Sequence, residues 1–515
     1  MSTTALPGAA ALPPGLLAAV LDYEDALRVD DLDRTGATFV DSPDTWRGDA
    51  DGLLVGSDAL RTYRRGRGGV LPRRLVRIVH HVLDHDAVLV TAASRYESGG
   101  DGLQTQLWVR DPDRWRIAAA HVTGRPSAFD RTVWRVLGDP LLPGSGSGPL
   151  AGLAVAVKDL FAVAGHAIGA GNPTFLAEAA TEPVSAPAVR ALLDAGADLR
   201  GIARTDEFAY SIAGANEHHG TPRNVRVPGA LPGGSSSGPA TAVALGQADI
   251  GLGTDTAGSI RVPASYQGLW GLRTTTGAVD ATGLLPLAPT FDTVGWLTRD
   301  LPTLRAAAAT VLPEGPDLAG GWLVPDDLGE VSPGVRAAFE DLVAPLRPRP
   351  VHLPVGSVLL GVFRLVQQSE VWAVHGAWVD AHQGALGPSI AERFALAAAV
   401  DTDAVARARD ELRVLRATIR DTVGDGVLLL PTTPGPAPAR TTTGTELETV
   451  RQATLALTAV AGIGSLPAVS APLLEVTGGP VGLGLVGPAG RDLALLDAAA
   501  TLVRHVRPTS PDEEP

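Results

Sequence analysis

The sequence predicts an α/β protein with covered strands, preceded by a small α+β module. Three observations predict it. The chain has 515 residues, more than one ordinary core holds. Residues 15–125 read as a helix followed by a run of alternating strands. From Leu150 onward short apolar strands alternate with helical patterns.

Taken in order, residues 1–14 are rich in Ala and Pro and are expected to be loose. Leu16–Val29 spaces its apolar residues as a helix does. Leu75–Val82, Ala87–Ser94, Leu103–Val109 and Trp115–His121 alternate apolar and polar residues, and Gly-Gly-Asp-Gly and Asp-Pro-Asp-Arg separate the later ones. Residues 126–148 end in Gly-Ser-Gly-Ser-Gly-Pro and are expected to be a linker, with the boundary near 138–148. The larger domain is expected over 149–506. Its strands are Leu153–Val157, Leu199–Ala203 and Val427–Leu430. Its helices are Ala188–Ala195, Ala240–Leu245, Leu304–Val311, Val362–Ala381, Asp403–Val423 and Val450–Ala461. Residues 507–515 are polar and acidic and are expected to be disordered.

Hydrophobic residues at 45% and charged residues at 19% fit a soluble globular chain. A formal charge of -14 disfavours nucleic acid and anionic membrane as partners, because both require a basic face. There is no cysteine, which excludes disulfides, thiolate metal sites and a Cys nucleophile. The first basic residue is Arg28 and no unbroken apolar run reaches roughly 18 residues, so a cytoplasmic location is expected. His80, His81 and His85 are spaced like metal ligands, but neighbours in a strand face opposite ways, so neither metal nor cofactor is expected.

Lys and Arg total 42, yet Lys158 is the single lysine. A compositional drift toward Arg explains the bias. It also isolates Lys158, because a buried lysine gives up its proton and an arginine does not. Two small-residue segments accompany it. Gly233-Gly234-Ser235-Ser236-Ser237-Gly238 precedes a helix, and Gly251 to Arg261 reads Gly-Leu-Gly-Thr-Asp-Thr-Ala-Gly-Ser-Ile-Arg. The flanks are apolar rather than solvating, which argues against linkers, and no Gly-Lys-Ser/Thr follows to make a phosphate loop. A serine nucleophile requires a base within reach and amide N–H groups aimed at the developing oxyanion. The small residues before Ser259 let the N–H groups of Thr256, Ala257, Gly258 and Ser259 converge. Asp255 and Arg261 flank the loop and are positioned to pair.

With Ala156-Val157-Lys158-Asp159-Leu160 and Ser259-Ile260-Arg261-Val262-Pro263-Ala264, the chain resembles the amidase signature family over about 148–505. The resemblance implies a mixed central sheet covered by helices. It also implies a relay in which Lys158, Ser235 in a cis peptide bond, and Ser259 act together. The spacing of 24 residues from Ser235 to Ser259 matches the family pattern without a gap. The implied reaction is hydrolysis of a small linear carboxamide through an acyl-enzyme on Ser259, with Ser236 bracing the loop. Asp206 to Ser211, Gly220 to Asn224, Ser265 to Gly268 and His375 to Trp378 resemble the indole-acetamide hydrolase branch. The pattern departs at Ala257 (commonly Gly), Val225 (commonly Pro) and Gln267 (commonly Cys). Asn216, Gln267 and Trp378 are candidates for substrate contact.

Residues 15–125, with Asp22-Tyr23-Glu24, Gly56 to Arg61, Thr105 to Arg110 and Trp115 to Val122, resemble AtzH-like domains of the cone-shaped SnoaL-like class. That resemblance implies a pocket, for which Tyr23, Arg47, Arg65 and His121 are candidates, and a homodimer. Two alternatives to a single-site amidase stay open: a bifunctional ureido/amide hydrolase with a second site in this module, and a non-catalytic amidase-like scaffold. Transamidation of glutamyl-tRNA requires a basic tRNA face, which the net charge argues against.

Overall fold

The computed structural model describes residues 7–8, 12–29, 31–49, 52–67, 73–96, 101–112, 114–123, 130–353 and 356–506. The tail expected over 507–515 and most of the stretch expected over 1–14 lie outside these residues. The chain divides into two units, Met1–Asp130 and Arg131–Pro515.

In the first unit the helix Leu16–Arg28 buries Leu16, Val20 and Tyr23, one stripe at 3.6-residue spacing. Six strands form one sheet: β1 (Trp46–Asp49), β2 (Gly52–Val55), β3 (Arg73–Asp84), β4 (Ala87–Tyr96), β5 (Asp101–Arg110) and β6 (Trp115–Thr123). Their order is β2-β1-β6-β5-β4-β3, antiparallel except where β1 runs parallel to β6. Val88, Val90 and Ala92 alternate inward from β4 and meet Trp108 and Ile117 in the core. β3 to β6 extend the four expected strands by one or two residues at an end. β1 and β2 escape pattern reading because each spans four residues and carries Gly, Asp or Arg.

The second unit is built on eleven further strands: β7 (Trp134–Leu142), β8 (Ala154–Lys158), β9 (Asp198–Ala203), β10 (Ile250–Thr254), β11 (Trp270–Arg273), β12 (Val294–Thr298), β13 (Trp322–Pro325), β14 (Arg349–Val351), β15 (Val427–Pro431), β16 (Ala468–Val476) and β17 (Gly479–Val486). They run in the order β14-β13-β15-β17-β16-β11-β12-β10-β8-β9-β7. The sheet is mixed: β8 lies parallel to both β9 and β10, and β12 runs antiparallel to β10. All five residues of β10 are buried, so Ile-Gly-Leu-Gly-Thr carries no alternation and its strand character is invisible to a period count.

The linker expected over 126–148 is corrected. Trp134–Leu142 is an edge strand that pairs antiparallel with β9. Its Pro140 and a register break between Leu137 and Leu142 hide the pattern, and an edge strand tolerates both. The pairing is close: a Cβ on Gly201 of β9 would come within 2.3 Å of the Val136 carbonyl oxygen.

Candidate active site

Parallel pairing of Ile250 with Val155 and of Leu252 with Val157 brings the C-terminal ends of β8 and β10 side by side. Lys158 closes β8 and Thr254 closes β10. The Lys158 ammonium, fully buried, donates to Ser235 Oγ at 2.8 Å and to Thr254 Oγ1 at 2.7 Å. Burial pushes its pKa down to about 7, against the upward pull of Asp206, Asp255 and Asp292. The Gly234–Ser235 peptide bond is cis. The Ser235 carbonyl accepts from Thr205 Oγ1 at 2.9 Å and from the Asp206 N–H at 3.3 Å. Ser236 Oγ bridges to Thr254, donating to its carbonyl at 3.2 Å and accepting from its N–H at 3.3 Å.

The loop from Asp255 to Arg261 is wound around one carboxylate. Asp255 accepts from Arg261 Nε at 3.0 Å and Nη2 at 2.9 Å, from Arg273 Nη1 at 3.1 Å, and from the Gly258, Ile260 and Arg261 N–H groups. Arg273 also donates to the Asp255 carbonyl. Burial alone would raise the Asp255 pKa, but the two guanidiniums outweigh it and hold the carboxyl well below the usual range. Thr256 Oγ1 donates to Asp292 at 2.6 Å, and Thr458 Oγ1 donates to the Ala257 carbonyl at 2.7 Å. The expected convergence of four N–H groups is corrected at one position: the Gly258 N–H is spent on Asp255 at 2.8 Å. Those of Thr256, Ala257 and Ser259 have no hydrogen-bond partner among the described residues. The Ser259 hydroxyl likewise bonds none of them and borders a cavity of about 20 Å³.

The three residues expected to contact substrate, Asn216, Gln267 and Trp378, lie away from that cavity. Each polar group is engaged elsewhere. The Asn216 amide donates to the carbonyls of Gly171 and Thr205. Gln267 is held between Pro232 and Thr241. Trp378 Nε1 donates to Glu178 and its ring stacks on His382, 4.4 Å between centroids. In the first unit, Tyr23, Arg47 and His121, expected to line a pocket, do not line the cavity found there. Tyr23 is core, edge-on to Phe39 and Trp108. Arg47 is buried against Asp49 and the Tyr63 ring. His121 is exposed, and the side chain of Arg65 lies outside the described residues. A cavity of about 270 Å³ does exist in that unit, lined instead by Asp33, Phe39, Asp41, Arg61, Arg64 and Arg116. Among the described residues no group of three or more His, Asp or Glu is placed to hold a metal, and no helix is long and apolar enough to cross a membrane.

Sequence reasoning missed several residues. Thr254 and Asp206 sit inside the motifs quoted above and could have been read from them. Asp292, Gln367, Arg393 and Arg451 carry no such signal. The last three come from the helices Ser357–Ala381, Pro388–Ala398 and Gly444–Gly464, remote from the motifs in sequence. All three line the Ser259 cavity with Tyr210 and Leu287. Arg393 and Arg451 also line an adjoining cavity of about 550 Å³.

Known proteins resemble both units of the chain. The Amidase family profile matches residues 139–320 and the AtzH-like profile residues 13–127. Amidase 1 of Arabidopsis thaliana is 34% identical over 419 residues, covering 73% of this chain and 99% of the relative. The 2-amino-5-chloromuconic acid deaminase of Comamonas testosteroni is 33% identical, over 69% of this chain and 82% of its own length. A crystal structure of an amidase superposes with a TM-score of 0.64 at 31% identity, covering 72% of this chain and 91% of that one. With so much of its length shared at that level of identity, the chain belongs to the amidase signature family of hydrolases and carries an AtzH-like domain on its N-terminal side.

Proposed function

We propose that this chain hydrolyses a small-molecule carboxamide to carboxylate and ammonia, with Ser259 as nucleophile and Ser235 and Lys158 as its proton relay. The observation that carries the reading is the Lys158 amine. It is the one lysine of the chain, wholly buried, with a pKa of about 7, and bonded to the Ser235 hydroxyl at 2.8 Å. A base poised near the working pH is what general-base chemistry requires.

The step order follows. Ser259 Oγ adds to the amide carbonyl as its proton passes to Ser235, whose own proton passes to Lys158. Oxyanion charge is met by the N–H groups of Thr256, Ala257 and Ser259, each worth about 3–4 kcal/mol in comparable sites. The Asp255 hub holds that loop in shape before substrate arrives. Collapse expels the amine, which takes a proton back from Ser235, and water then cleaves the acyl-serine ester. The names of the relatives, two of them amidases and one a 2-amino-5-chloromuconic acid deaminase, are compatible with ammonia as the leaving group.

The test is ammonia release from indole-3-acetamide, phenylacetamide, benzamide, a short aliphatic amide, biuret and allophanate. Wild type is run beside Lys158→Arg, Lys158→Ala and Ser259→Ala. Turnover by wild type and loss in all three variants supports the relay, and failure of the Arg variant marks the need for a neutral amine. Turnover that survives Ser259→Ala removes the assignment.

A further inference from the structure

Two guanidiniums, Arg451 and Arg364, share the Glu448 carboxylate, and a third, Arg393, lines the Ser259 cavity beside Arg451. Arg451 Nε donates to Glu448 at 2.8 Å. Arg364 reaches the same carboxylate only at 3.6 Å, and its Nε and Nη2 are buried without a hydrogen-bond partner. Arg393 has no acidic partner among the described residues. Its one hydrogen bond there is from Nη1 to the Tyr210 carbonyl at 2.7 Å. Arg393 is nevertheless mostly buried, and burial together with the nearby Arg451 lowers its pKa to about 10.

A buried guanidinium without a counter-ion is costly, and proteins rarely keep one unless a partner arrives. Here the partner's place is defined. Arg393 and Arg451 line both the small cavity at Ser259 and the larger one that adjoins it. The other walls near Ser259 are largely apolar or uncharged: Ala209, Ile212, Leu287, Gln367 and Leu455. The remaining buried carboxylates are already engaged. Asp206 accepts from the Gly214 N–H and Ser237 Oγ, and Asp292 from Thr256, Leu287 and Ala288. An arginine fork pairs best with a planar, two-oxygen anion.

We propose that the amide substrate itself bears a carboxylate, which Arg393 binds with help from Arg451 while the amide carbonyl lies at Ser259. The inference rests on the reading of Ser259 as nucleophile. It narrows the substrate class to half-amides of short dicarboxylic acids and related amide-acids. Arg393 is then a specificity-determining residue rather than a member of the proton relay.

The experiment compares succinamate and glutaramate with 4-methylpentanamide, a neutral amide of similar shape. Wild type is expected to show kcat/KM higher for the acid amides. In Arg393→Met the ratio of acid to neutral kcat/KM is expected to fall about 10- to 100-fold, the range for one lost charge-assisted contact. Arg393→Lys, which keeps the charge without the fork, is expected between the two. A wild-type ratio at or below one, or a ratio unchanged by Arg393→Met, overturns the proposal. A binding arm separates it from failure of the hydrolase reading. Full-length Ser259→Ala is titrated calorimetrically with succinamate and with succinate. Binding that Arg393→Lys weakens supports the anion site even if no amide is turned over. Absence of binding to either probe overturns the site even if neutral amides are hydrolysed.

Discussion

An amine with a pKa of about 7 is a base only once it has lost its proton, so in the proposed relay the acid limb of catalysis belongs to Lys158. With a neutral amide as substrate, kcat/KM is expected to rise with pH through about 7 and then level off, and a pH–rate profile checks it. In Lys158→Arg the side chain stays charged at every workable pH. Activity is expected to fall about 10²- to 10⁴-fold with no rising limb to recover it. Gly253 makes a second residue-scale case. A Cβ there would sit 2.6 Å from Ser236 Oγ, so Gly253→Ala is expected to cost about 1–3 kcal/mol in denaturant unfolding and to disturb the Ser236–Thr254 bridge. Lys158 was legible because a lone lysine among arginines is a compositional anomaly. Arg393 was not, because nothing in a helix of ordinary composition marks which arginine lacks an acid. The amide groups of Asn216 and Gln267 bond backbone carbonyls, which a polar residue beside a motif does not announce in sequence.

Two elements hold the site open to chemistry: the end of β10 and the loop that follows it. Thr254 steadies the Lys158 amine by accepting at 2.7 Å. Thr254→Val removes that acceptor at constant shape, and kcat is expected to drop about 10-fold or more while KM moves little; Thr254→Ser is expected to restore it. In the loop, Asp255→Asn leaves Arg261 and Arg273 buried around a neutral amide. The expected cost is about 3–5 kcal/mol, read from chemical unfolding. Amphipathic helices such as Thr402–Val423 were readable because one face stays in water and writes the 3.6-residue period. The buried strands β10 and β12 were not, since a strand covered on both faces writes no period.

At the scale of the whole molecule, a change from α+β to α/β patterning near residue 150 was legible, but the point at which one unit ends was not. Gly, Ser and Pro after Leu142 look like a tether, whereas β7 before them belongs to the larger sheet. Two fragments test this. Residues 131–515 are expected to retain ammonia release. Residues 143–515 lose β7 and the buried Trp134, whose Nε1 bonds Gln247 at 2.7 Å. That fragment is expected to be less stable by about 3 kcal/mol or more, measured by denaturant unfolding of the two side by side.

The solitary, sealed lysine has a use apart from the role proposed for it. A reagent that acylates primary amines meets one side-chain target in 515 residues, and that target is 0% exposed while the protein is folded. Residue 158 can gain an acyl group only when its surroundings open. The rate at which a single acyl mass appears there by peptide mass spectrometry therefore clocks the breathing of the site, and a bound ligand that quiets the breathing would slow the clock.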